Sequence, residues 1–243
     1  MQQQGYPSWD CRQRIPNFGG EDFLMEQRPF RSLDDVTQLL MDFEPDIPDF
    51  LTKEQFEVYK FLQRNCKNSK NLTSDHVFQF VFRSFYRLDN AGLGDEFKDA
   101  FFLLFEEQRK NCESPDVSKI VRSLHTVKTA RGKHSFQFSF ATKMVATIDP
   151  EKPIYDSLVA ELFGFNPGYF IRDDEKRITR FMRFYDELER VTRESSENRR
   201  LTTFMARMCE RVHGLRDVPP TKQLDFVFWA AGKAMRNSGD GAD

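Results

Sequence analysis

An all-α fold of about nine helices is the architecture the sequence predicts. Apolar residues recur every three or four positions from Thr52 onward, helix-start residues precede several of these runs, and alternating β patterns are nearly absent. A length of 243 residues is ample to bury a core in one large domain or two small ones. With 26 Phe residues, much of that core is expected to be aromatic.

The first 50 residues read as an irregular arm. Residues 21–50 hold nine Asp or Glu against two Arg, which suits a solvated surface far from any phosphate backbone. The helical domain is expected over residues 51–236. Thr52 followed by Gln55 is a capping-box pair, and Phe56, Tyr59 and Leu62 recur at helical spacing behind it. Ser74 is the expected cap of a second helix with Val77, Phe78, Val81 and Phe85 on one face, ending at the turn DNAGLGD. Glu96–Lys110 repeats the pattern through Phe97, Phe101, Leu104 and Phe105. Ser114 before Pro115 marks the start of a helix over 115–126. Further helices are expected at 135–148, 154–164, 174–194, 198–213 and 221–236, the last capped by Thr221. The Gly-rich residues 237–243 read as a frayed tail.

Composition narrows the function classes. A formal charge of −2 offers no net basic signature, so any nucleic-acid face must be local. No run approaches the roughly 18 apolar residues of a membrane helix, and no apolar signal core opens the chain, so no membrane partner or export is expected. Cys11, Cys66, Cys112 and Cys209 form no CxxC pair and the four His form no HxH or HxxxH, which argues against a metal or iron–sulfur site. Reduced thiols in a cytoplasmic protein without a cofactor are the expectation.

From Val117 to Ile148 there are six Lys or Arg and no acid. Lys128, Arg131, Gly132, Lys133 and His134, running into Ser135, form a Gly-containing basic loop before a helix, a combination that suits a phosphate. A solvated loop with chance clustering is the alternative. The Arg-rich stretch 172–216 interleaves acids at helical spacing and is explained by surface ion pairs.

Asp156, in DPEKPIYDSLV, has two readings. It suits the N-terminus of a helix, accepting backbone N–H bonds at the positive end of the dipole. It also suits a pocket carboxylate. The segment SFATKMVATIDPEKPIYDSLV, a helix followed by a Pro-bounded loop and an Asp that opens a second helix, resembles the helix-hairpin-helix superfamily of base-excision DNA glycosylases over roughly residues 75–165.

The resemblance implies a glycosylase-like domain of two helical lobes with a cleft, and it makes Asp156 the catalytic carboxylate. FVFRSFYRLDNAGLGDEF falls where these enzymes hold the loop that fills the gap left by a flipped base, making Tyr86, Arg87 and Asn90 candidates for the wedge or orphan-base contact. Tyr155 becomes a candidate pocket wall, and LDFVFWAAGK is similar to the closing helix of divergent members. Trp229 in that stripe reads as core rather than as a base-stacking platform.

The chain departs from the family pattern in three places. The Gly-x-Gly hairpin is degenerate, with Gly132 alone near KHSFQFS. The lysine of bifunctional members would fall at Ser139, with Lys143 one turn later as a possible substitute, so a lyase step is not implied. The iron–sulfur cysteines of one branch are missing. The expectation is therefore a monomeric, monofunctional glycosylase on double-stranded DNA carrying a modified base. The resemblance extends to phage-defence members acting on hypermodified cytosine. A non-catalytic helical module binding DNA or a protein, with Asp156 purely a cap, is the rival.

Overall fold

The computed structural model describes residues 30–111, 115–129, 131–168 and 170–239. Ten α-helices follow one another: α1 Leu33–Asp42, α2 Lys53–Asn68, α3 His76–Phe85, α4 Asp95–Asn111, α5 Val117–His125, α6 Phe138–Ile148, α7 Ser157–Leu162, α8 Asp174–Glu194, α9 Arg199–Arg211 and α10 Pro220–Gly239. Short 3-10 turns occupy Ile47–Phe50, Leu88–Ala91 and Leu215–Asp217. Among the described residues there is no β-strand, only an isolated antiparallel bridge between Lys128 and His134. The all-α class holds, and among the described residues no helix is long and apolar enough to cross a membrane.

Local chemistry explains most helix starts. Thr52 accepts from the Gln55 N–H while the Gln55 side chain accepts from the Thr52 N–H, the expected capping box of α2. Three other expected caps differ. Asp75, not Ser74, caps α3, because its carboxylate reaches the Phe78 N–H at 3.0 Å whereas the Ser74 hydroxyl donates to the Asn71 carbonyl. Asp116 caps α5 through the N–H groups of Ser118 and Lys119, and Ser114 lies outside the described residues. Helix α10 begins at Pro220, where a missing N–H costs nothing, so Thr221 sits buried inside the first turn.

The irregular-arm expectation is overturned for residues 33–50. Ser32 and Asp35 form a capping box for α1, and Val36, Leu40 and Ile47 are fully buried. The apolar spacing of this short helix was masked by its acid count. Arg31 ties it to the centre: its guanidinium donates to the carbonyls of Glu161 and Leu162, and its N–H to that of Phe163. Residues 1–29 lie outside the described residues, as do 240–243; residues 237–239, expected as tail, continue α10.

The core is aromatic, as the composition implied. Phe78, Phe82, Phe101 and Phe105 interlock between α3 and α4. Phe138, Tyr155, Phe181 and Phe184 do the same around α6 and α8. Gly232 lets α10 lie against the start of α7: a Cβ there would stand 2.4 Å from the Leu158 carbonyl oxygen. That crossing positions the site.

Candidate functional site

A cavity of about 560 Å³ opens between α2, the end of α3, α6, the start of α7 and α10. Asp156 and Lys143 stand on its wall, with Lys143 Nζ 3.5 Å from Asp156 Oδ2. Tyr86 and Arg87 line it as well.

The backbone that delivers Asp156 is pinned from three sides. The Ser139 hydroxyl donates to the Tyr155 carbonyl, and the Tyr155 N–H donates to Thr142 Oγ1, both at 3.1 Å. From α8, the Tyr185 hydroxyl donates to the Pro153 carbonyl. From α10, Asp225 Oδ1 accepts the Ile154 N–H at 3.1 Å while its other oxygen holds Lys222 at 2.5 Å. Lys222 Nζ also donates to the Lys152 carbonyl. Asp156 then caps α7, Oδ1 accepting the Leu158 N–H at 3.0 Å, which leaves Oδ2 to face Lys143. One carboxyl group thus serves as cap and as cavity wall at once.

The electrostatics follow from burial. Lys143 is 8 % exposed, and desolvation lowers its pKa against the opposing pull of Asp156. Its ammonium also lies 5.3 Å from the Phe140 ring centre and 5.7 Å from that of Tyr86. Burial pushes the Asp225 carboxyl up despite Lys222. The phenols of Tyr59 and Tyr86, both on the cavity wall, are pushed up by burial too. The chemistry on offer is a carboxylate beside a partly desolvated amine, framed by aromatic rings.

Several expected site residues are elsewhere. Ser139 holds the Tyr155 backbone and does not line the cavity; Lys143, one turn later, does. Tyr155 is not on the wall but 6 % exposed in the aromatic core, its ring against Phe138, Phe165 and Phe181. Asn90 is exposed in the Leu88–Ala91 turn, away from the cavity lining.

The basic loop is also absent from the lining. Gly132 turns it with φ +70°, Thr129 and Lys133 close it with backbone bonds, and Lys128, Arg131, Gly132, Lys133 and His134 are exposed. His134 Nδ1 bonds the His125 carbonyl at 2.7 Å, Ser135 offers its carbonyl to His125 Nδ1 at 3.3 Å, and His125 Nε2 meets Asp174 at 3.0 Å. The loop joins α5 to α6, a helix, turn and helix without the Gly-x-Gly core.

One face of α10 was missed. Lys222, Asp225, Trp229, Lys233 and Arg236 all line the cavity, and Trp229 is partly exposed rather than core. Their spacing of three, four, four and three is helical, and a stripe mixing ionisable groups with an aromatic was the available signal. Among the described residues no group of three or more His, Cys, Asp or Glu is arranged to hold a metal ion. No protein-family model, curated protein or solved structure matches the chain.

Proposed function

We propose that the chain is a DNA N-glycosylase that draws a modified base out of the duplex and leaves an abasic site. The observation that carries this reading is the Asp156–Lys143 pair at 3.5 Å on the wall of an aromatic-lined cavity of about 560 Å³. A cavity of that size is in the range that encloses drug-sized ligands, which leaves space for a base with a bulky substituent, the hypermodified cytosine class included.

Extruding the base costs a few kcal/mol, which stacking on rings such as Phe140, Phe226 and Trp229 offsets. Cleavage of the N-glycosidic bond then moves its electron pair onto the base and builds positive charge on the sugar. Asp156, fixed by its cap bond, stabilises that charge and orients the water that attacks C1′. Lys143 supplies the counter-charge to Asp156, its ammonium favoured by that carboxylate against the cost of burial.

The test is incubation with duplexes that each carry one damaged, methylated or glucosylated base, followed by alkaline cleavage. Strand breaks that disappear in Asp156→Asn support the reading; intact strands across the whole panel overturn it. Burial lowers the Lys143 pKa, which favours a second reading of the displacement step. The amine, giving its proton to Asp156, attacks C1′ as the base leaves with the bond's electron pair, and opening of the sugar ring at O4′ then gives an imine. Borohydride would then trap a protein–DNA adduct that Lys143→Gln abolishes, whereas a hydrolytic enzyme gives abasic product without an adduct.

A further inference from the structure

The cations at the cavity and the cations of the basic loop occupy different parts of the molecule, and the former are differently placed for a ligand. Arg87 and Lys233 both line the cavity, one from the end of α3 and one from α10. Neither is paired with a carboxylate among the described residues. Asp89, two residues from Arg87, is engaged by Arg83 at 3.7 Å and Lys98 at 3.2 Å instead. Arg236, also on the wall, is held by Glu161. Lys233 is braced with its ammonium 4.8 Å from the Phe50 ring centre and 5.2 Å from that of Trp229.

Arg87 is unusual in its backbone as well. At φ +60° it is the one non-glycine residue with a positive φ among the described residues, at the position after a helix end where Gly is usual. A side chain retained at a conformational cost, exposed and turned to the cavity, is a side chain with a use outside the fold.

Resting on the glycosylase reading, we propose that Arg87 and Lys233 clasp the phosphodiesters flanking the nucleotide drawn into the cavity. Phosphate anchoring then comes from the cavity wall rather than from the loop Lys128–His134. The two cations belong to separate elements, the turn after α3 and α10, so one extruded nucleotide would meet a cation from each.

The probe is a short duplex with one tetrahydrofuran abasic analogue, titrated by fluorescence anisotropy across a salt series. Each lost phosphate contact flattens the log–log salt slope by about 0.9. Arg87→Gly and Lys233→Ala are each expected to show that flattening, and Arg131→Ala/Lys133→Ala to leave the slope unchanged. Arg87→Gly separates binding from folding, because Gly suits the positive φ and thermal stability should hold or rise.

Unchanged slopes in both cavity variants, or flattening confined to the loop variant, overturn the clasp while leaving the glycosylase reading intact. A wild-type protein that ignores the duplex at every salt concentration overturns both. Thymidine monophosphate binding as tightly as the duplex would show a site for a free nucleotide and overturn the backbone assignment.

Discussion

Gly232→Ala tests whether the crossing of α10 and α7 positions the site. The new methyl would stand 2.4 Å from the Leu158 carbonyl oxygen, and ordinary contact begins at 3.4 Å, so the helices must separate by about 1 Å. The obstacle is backbone, which has no rotamer through which to yield. Overpacking of this kind costs about 1–3 kcal/mol, and replacing Gly by Ala inside a helix returns about 1. With the obstacle rigid, the upper part of that range applies, and the net loss is roughly 1–2 kcal/mol, or a fall of about 2–8 °C in Tm for a chain of this size. Urea denaturation followed by helical ellipticity measures it. Leu158 also carries the N–H that Asp156 caps, so the same shift moves the carboxylate relative to Lys143. Under the proposed glycosylase function, misplacement by about 1 Å is worth on the order of 100-fold in rate, which excision assays would register. A Gly232→Ala protein as stable as wild type, or more so, refutes the argument, because helix propensity would then be the larger effect.

Asp156→Ala is expected to be about 1 kcal/mol less stable than Asp156→Asn, because both leave buried Lys143 without its carboxylate while Asn alone keeps an acceptor for the Leu158 N–H; equal losses in thermal melts would contradict the cap geometry. Lys143→Met is expected to raise stability at neutral pH. The folded state holds the Lys143 amine below its ordinary pKa, so the penalty of burying its charge is full below the folded value and is relieved as pH rises from there toward about 10.4. The advantage of Lys143→Met over wild type should therefore shrink in alkaline denaturation series; an advantage that grows would invert the sign. Lys222→Met leaves the Asp225 carboxyl, only 12 % exposed, without its cation and should cost up to about 3–5 kcal/mol. Because burial already raises the Asp225 pKa, part of that loss should return on acidification, as the carboxyl protonates; a deficit independent of pH would refute the assignment.

The sequence by itself determined the helical class, the aromatic core and most element positions, because periodicity and capping are local. Residues 174–194 and the Thr52–Gln55 box are legible that way. Asp156 was legible as a helix start, and the resemblance drew attention to it as a pocket carboxylate. The α1 helix was obscured because acidic composition outweighed a short apolar spacing. Only the tertiary structure decided which side chains meet at the cavity. Ser139 and Lys143 lie one turn apart on α6, and their separate tasks follow from how α6 faces Asp156. The wall supplied by α10 depends on Gly232, whose missing side chain lets two helices approach across more than seventy residues of chain. Contacts over such distances are set by the sum of packing across the core, and no window of sequence contains that sum.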